Sequence, residues 1–415
     1  MSQRTLLNSF PFNRLGQTIT GFKAHPALFF KKLLKSRLIQ SLVGIFTLFL
    51  ALHLLFPLPP LKPYSKTVYA ADGTLLRTFL SSDDKWRLRT SSPEISADFK
   101  KAIMEKEDKW FYWHPGINVF AVARAAIMNL VSGRVTSGAS TITMQTARML
   151  EPGERTLTKK IQEMFRALQL ELCYSKDEIF EMYLSYLPFG GNIEGVKAAS
   201  YLYFNRPPEK LSLAQATALA VIPNDPNRLR PDRFASRLIA RRNSLLEEFR
   251  RDEVFDNPII DDALMEPLEQ IRYSFPDRAP HFCMRAATLS EHDVIRTYLS
   301  PSIQEKAEGL LKRYMPAMNP LGIKNAAVVI IDNATMGVVG YCGSQDFYDS
   351  LNAGQVDGVF ALRSPGSTLK PFLFADAFAL GMLTPKSRVL DIPSDLGGYV
   401  PENYRKGFDG YVTAS

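Results

Sequence analysis

The sequence predicts a membrane-anchored, multidomain chain in which a mainly α domain is followed by an incomplete α+β domain. Three observations carry that prediction. From Leu38 to Phe56 the chain runs 19 residues without a formal charge. From about Pro93 to Arg250 apolar residues recur at three- and four-residue spacing, the period of a helix. After Asn325 the period shifts towards two, the period of a strand. The length of 415 residues exceeds what one core ordinarily organises.

Hydrophobic residues make up 46% and charged residues 22%, an ordinary globular balance that excludes a mostly disordered chain. The formal charge of +8 is unevenly placed: residues 1–71 hold nine Lys/Arg and no Asp/Glu, and the rest hold 41 basic against 42 acidic. The basic surplus therefore belongs to the N-terminus, and a nucleic-acid-binding body is not expected. Three widely separated cysteines, Cys173, Cys283 and Cys342, exclude a disulfide scaffold and a CxxC-type zinc site.

Residues 1–37 read as a basic cytoplasmic tail and 38–57 as a transmembrane helix. At 1.5 Å per residue such a helix spans about 28 Å, against a hydrocarbon core of roughly 30 Å. Lys23, Lys31, Lys32, Lys35 and Arg37 precede it, and the positive-inside bias places everything after Pro57 outside the cell. A cleaved signal peptide fits less well, because the apolar run leads into FPLPPLKP with no A-x-A site. Residues 58–92 are a proline-stiffened stalk with a hairpin turning at Asp72-Gly73. Residues 93–250 form the helical domain, with Ser175 and Ser212 as helix N-caps. The Pro-punctuated stretch 251–324 reads as a linker. In 325–415, AAVVIIDNATMGVVGYCGS predicts a strand pair turning at Asn333–Gly337, and a helix starts near Ser367 and runs to Leu380.

Three stretches carry chemistry. In EKEDKWFYWHPG, Glu107 and Asp108 stand among Trp110, Phe111, Tyr112 and Trp113, and a carboxylate packed by aromatics loses water and suits a general base. In SGASTITMQTARML, a Ser/Thr-rich turn opens a helix, so backbone N–H groups can face an anion beside Ser140, Thr141, Thr143, Gln145 and Arg148. In RTLTKKIQEMFRALQLE, Lys159, Glu163 and Arg166 share one helix face, and Ile161, Met164, Leu168 and Glu171 lie on a second, mostly core-facing one. Each stretch alone has a plain structural reading: a solvated helix end, a structural loop, a salt-bridged surface helix.

In order, EDKWFYWHPG, GASTITMQTAR, KKIQE and KDEIFEMYLSYLPFGGNIEGVKAASYLYF resemble the successive motifs of the family 51 peptidoglycan glycosyltransferases. RSPGSTLKP further on is similar to the transpeptidase signature of the bifunctional class A penicillin-binding proteins. The resemblance covers residues 55 to 415 and implies a lysozyme-like glycosyltransferase domain followed by a transpeptidase domain. It implies a bacterial inner-membrane enzyme with its catalytic domain in the periplasm. That enzyme polymerises lipid II into β-1,4 glycan with inversion, releasing undecaprenyl diphosphate. On this resemblance Glu107 is the base that takes the acceptor hydroxyl's proton. Asp108, Ser140, Thr141, Gln145, Arg148, Lys159 and Lys160 bind substrate, and Glu163 supports the donor diphosphate or its metal. A divalent cation, Mg²⁺ or Mn²⁺, is the candidate cofactor, with no organic one. Partners are lipid II, the growing glycan, the bilayer and other cell-wall synthesis proteins. His114 and Phe111 are expected to be structural, and NVFAVARAAIMNLV (118–131) resembles the family's membrane-dipping jaw. Met144 stands where the family commonly has Gln, Ser185 where it has Asn, and Arg148 and Lys159 exchange Arg and Lys.

Ser367 and Lys370 form an SxxK pair, the transpeptidase nucleophile and its activating amine in the resembled family. The sequence stops at DGYVTAS without an SxN or KTG motif after Ser367, so Ser367 is expected to be inert. Fluorescent penicillin should leave the purified chain unlabelled at Ser367, and a covalent adduct there would overturn this. Two other functions stay open: a lysozyme-like hydrolase, which has no diphosphate to bind and so no use for Arg148, Lys159 and Lys160, and a non-catalytic cell-wall scaffold.

Overall fold

The computed structural model describes residues 37–132, 140–154, 156–403 and 405–414. The expected basic tail lies outside the described residues apart from Arg37, as do Ser137, Gly138 and Ala139 of the Ser/Thr-rich turn. The chain divides after Pro301 into two compact units.

The first unit opens with α1 (Arg37–Leu55), which Pro57 stops, since proline supplies no N–H to continue the helix. Its side chains are largely exposed, Ile45 at 65% and Leu54 at 81% among them. Among the described residues no helix is long and apolar enough to cross a membrane. The expected span 38–57 is thus a helix that ends two residues early. β1 (Thr67–Tyr69) and β2 (Leu75–Thr78) pair antiparallel around the predicted turn, where Gly73 has φ +84°. β3 (Trp86–Arg87) follows.

Helices build the rest: α2 (Ala97–Glu107), α3 (Val119–Ser132), α4 (Ile142–Leu150), α5 (Leu157–Cys173), α6 (Lys176–Tyr186), then β4 (Pro188–Gly190) and β5 (Ile193–Glu194), α7 (Val196–Phe204), α8 (Leu213–Val221) and α9 (Pro231–Arg251). Ser175 and Ser212 cap α6 and α8 as predicted, each in a reciprocal capping box with Glu178 or Gln215. The sequence of α8, LAQATALAV, is apolar nearly all round, and the helix is buried along its length in the main core. β3 joins β5 in parallel and β4 pairs β5 antiparallel, forming a small sheet.

The stretch expected as a linker is folded onto this unit up to Pro301. α10 (Asn257–Met265) puts Ile260 and Ala263 into the main core, α11 (Pro280–Leu289) follows, and β6 (Val294–Arg296) pairs in parallel with β1. Proline spacing suggested a linker, but backbone pairing with a strand more than 200 residues earlier has no local signal.

Arg87 ties the stalk to the helical body. It is 1% exposed, and its guanidinium donates to Asp83 Oδ2 at 2.8 Å, Glu194 Oε2 and the Pro63 carbonyl. Burial raises the Asp83 pKa, but the bonds from Arg87 and Ser81 outweigh it and hold the group at about 2, below its ordinary 3.8. A carboxylate with a depressed folded pKa stabilises above its unfolded pKa and loses that contribution as pH falls through the folded value. Between about pH 4 and pH 2, Asp83→Asn should therefore lose less melting temperature than the parent. Equal losses in both would show that Asp83 contributes no such linkage.

The second unit begins with α12 (Pro301–Met318), followed by the predicted pair β7 (Val328–Ile331) and β8 (Val338–Cys342), α13 (Lys370–Ala379), and an antiparallel pair, β9 (Arg388–Asp391) and β10 (Gly410–Thr413). Its buried cluster holds Ala307, Leu311 and Cys342.

Candidate active site

Glu107 is the last residue of α2, whose N-cap Ser96 accepts from the Phe99 N–H. The Glu107 side chain is 16% exposed. Its Oε2 accepts from Gln145 Nε2 at 2.7 Å, and its Oε1 pairs with Lys106 Nζ, which also reaches Asn224 Oδ1 at 3.1 Å. The expected base is thus held by an amide from α4 and a neighbouring ammonium.

Asp108 turns the other way. It is buried, with His114 Nε2 at 3.0 Å from both carboxylate oxygens and the Ile142 N–H donating to Oδ2 at 3.0 Å. Thr141, the N-cap of α4, is also buried. Its hydroxyl accepts from the Met144 N–H and donates to the Gly116 carbonyl at 2.6 Å. Both were expected to bind substrate, and both spend their polar atoms inside the protein. The cause is the start of α4, whose first N–H groups lack intrahelical acceptors and must be satisfied when buried. Gly116 has φ +81°, and a Cβ there would meet Glu171 Cγ at 2.8 Å, so this close approach requires glycine.

The cations gather on α5. Lys160 Nζ donates to Ser140 Oγ at 2.5 Å and to Glu163 Oε2 at 3.1 Å. Glu163 is 7% exposed and lies on the buried face of α5 with Ala167 and Leu170. That face replaces the expected one: Ile161 is 60% exposed. Lys159 and Arg166 meet at Glu151, at 3.6 and 3.0 Å. Burial alone raises the Glu151 pKa, but Arg166 and Lys159 hold it below the ordinary carboxylate value.

Ser140, Thr141, Gln145 and Arg148 lie on or just before one helix, α4, which connects Glu107 through Gln145 and Glu163 through Ser140 and Lys160. Tyr183 of α6, which the sequence reading missed, lies where Glu107, Asp108 and Arg148 all act on it. Burial first and the Glu107 charge next push its hydroxyl pKa far up, so it stays protonated. Glu151 was missed likewise, and Glu171, expected only on a core-facing side of its helix, holds polar partners there. Glu171 accepts from Thr143 Oγ1 at 2.6 Å and Lys176 Nζ at 2.7 Å. Their only sequence signal is charge at helical spacing, common to most surface helices.

The aromatic wrapping expected around Glu107 is not there. Phe111 is buried against Phe180, but Trp110, Tyr112 and Trp113 are exposed, Trp113 at 84%. On α3, Val119, Phe120, Ile127 and Met128 are exposed as well. Ser367 lies on a 3-10 turn, Gly366–Leu369, leading into α13. It and Lys370 are exposed, and the bond that joins them is a backbone one, from the Lys370 N–H to the Ser367 carbonyl.

Among the described residues no group of three or more His, Cys, Asp or Glu could hold a metal ion, and an ammonium already engages Glu163.

Residues 72–250 match the transglycosylase family. Penicillin-binding protein 1C of Escherichia coli (strain K12) is 40% identical over 363 residues, which cover 87% of this chain and 47% of that protein. Penicillin-binding protein 1F of Bacillus subtilis (strain 168) is 29% identical over 78% of this chain and 47% of its own length. The chain spans about half the length of these curated relatives. A crystal structure of penicillin-binding protein 1A from Haemophilus influenzae aligns at 16% identity with a TM-score of 0.37, over 86% of this chain and 59% of that one.

Proposed function

We propose that the chain is a class A penicillin-binding protein that polymerises lipid II into peptidoglycan glycan strands, a reading supported by the match of residues 72–250 to the transglycosylase family and by the 40% identity to penicillin-binding protein 1C. The observation that carries the reading is the position of Glu107, fixed by Gln145 on the helix whose first turn adjoins Ser140, Lys160 and Glu163.

In this reading Glu107 takes the proton of the acceptor's sugar 4-hydroxyl as that oxygen attacks the donor's anomeric carbon. The bond to the diphosphate breaks as the glycosidic bond forms, with inversion and no glycosyl-enzyme intermediate. Lys160 and Arg148 offset charge growing on the leaving diphosphate, while Lys159 binds that diphosphate alike before and during the bond change. Glu163 orients Lys160. Asp108 and Thr141 position α4 and do not touch substrate. No step is routed through a metal ion.

The membrane assignment belongs to the same proposal. α1 is the anchor, with residues 1–37 cytoplasmic and the rest outside the inner membrane. The exposed apolar residues of α3 and the exposed Trp110 and Trp113 support a domain resting on the outer leaflet. The full chain in lipid nanodiscs should elongate labelled lipid II in the absence of any other protein. Cutting of finished glycan without elongation would favour a hydrolase, and no change in either substrate would favour a scaffold.

A further inference from the structure

α1 and α5 meet through an unusual set of contacts. Pro57 ends α1 and leaves the Phe56 and Pro57 carbonyls without backbone donors from a following turn. Arg166 donates to both carbonyls at 2.8 Å. Gln169, fully buried on α5, has its Nε2 2.8 Å from the Phe56 carbonyl and 3.0 Å from His53 Nδ1. Phe49 packs edge-on against Phe165 at 5.7 Å, and a cavity of about 200 Å³ remains between Leu52, Phe56, Phe165 and Arg166. Arg166 also donates to Glu151, the C-cap of α4, which also holds Lys159.

Such contacts are costly to leave unmade. Phe56 and Pro57 are exposed, and at the bilayer surface that the proposed anchor implies their carbonyls have little water to turn to, where an unsatisfied one is expensive. An arginine suits the position because its planar fork reaches several acceptors at once, which a lysine ammonium cannot do in the same plane.

We propose that Arg166 is a positioning residue: with Gln169 it clips the exit of α1 onto α5 and, through Glu151, sets where Lys159 is held. The anchor and the cationic side of the site then move as one body. This rests on the transferase reading for its effect on turnover, but the clip itself does not.

The test uses the full chain in nanodiscs, with Arg166→Ala and Arg166→Lys. Hydrogen exchange in the segment 52–62 should quicken on the order of tenfold in Arg166→Ala, as expected when charge-assisted bonds are lost from a helix end. Arg166→Lys should restore little of the protection, because it keeps charge but not the fork. The KM for lipid II should rise on the order of tenfold with kcat held near the parent value, since misplacement of a binding cation acts before chemistry. Unchanged exchange in Arg166→Ala overturns the clip, and full rescue by lysine overturns the role of the fork. Faster exchange with an unmoved KM, or with a fall in kcat alone, overturns the positioning of Lys159. If the parent chain fails to polymerise lipid II, the transferase reading falls and hydrogen exchange alone decides the clip. Glu151→Gln, which leaves both α1 carbonyl contacts in place, should raise KM without changing exchange in 52–62. Changed exchange there would show that the contacts depend on Glu151, against the arrangement proposed.

Discussion

Replacing Glu107 with Gln is expected to lower lipid II polymerisation by roughly 10²–10⁴-fold, the usual contribution of a positioned general base. The substitution is nearly isosteric. Its amide oxygen can still accept from Gln145 Nε2, now 2.7 Å from Glu107 Oε2, and Lys106, which loses its acceptor there, keeps Asn224 Oδ1 at 3.1 Å, so the local packing should survive and the melting temperature should stay close to the parent's. What it cannot do is take a proton at neutral pH. The loss should appear in kcat and kcat/KM together, because the interaction is made as the proton moves and not on substrate binding. Gln145→Ala offers a second view of the same group. With one hydrogen bond to the carboxylate gone, activity should fall by less than for Glu107→Gln. An active Glu107→Gln protein would remove Glu107 from the chemistry and leave the transferase without its base.

Asp108→Ala should cost on the order of 3 kcal/mol, because the Ile142 N–H and the His114 ring lose their acceptor in a buried place. For a unit of this size that is a fall of about 6–12 °C in melting temperature. Activity should fall with it, since α4 carries Gln145, Arg148 and the end next to Ser140. Asp108→Asn separates geometry from charge. Its amide oxygen can accept from Ile142 and its nitrogen can donate to a lone pair on His114, so most of the stability should return. Calorimetry and the lipid II assay on the two variants decide between roles. If Asp108→Ala keeps its melting temperature and loses only activity, Asp108 works on the substrate, as the family resemblance implied.

The two carboxylates illustrate what a sequence can and cannot convey. Glu107 and Asp108 are adjacent, equally charged and indistinguishable by composition. In the structure one is bound by an amide and an ammonium at the edge of the protein, and the other is sealed under a helix end. Neighbouring side chains at the end of a helix point in different directions, and whatever lies in each direction comes from chain segments far away. Glu163 makes the same point: its spacing from Lys159 and Arg166 is that of a surface ion-pair helix, yet it is buried with Ala167 and Leu170.

What the sequence by itself determined is local or ordered: the uncharged stretch of α1, the helical period of 93–250, the caps Ser175 and Ser212, the Asp72-Gly73 turn, the β7–β8 pair, and the succession of motifs that resembles the family 51 glycosyltransferases. These follow from forces acting over three or four residues, where backbone geometry and side-chain spacing suffice. Tertiary structure alone decided that Asp108 and Thr141 face inward, that three aromatics beside Glu107 face out, that residues 252–300 pack on the first unit, and that Arg166 holds the end of α1. Those outcomes turn on desolvation and on which distant group satisfies a buried donor or acceptor, and neither quantity is defined until the chain has folded.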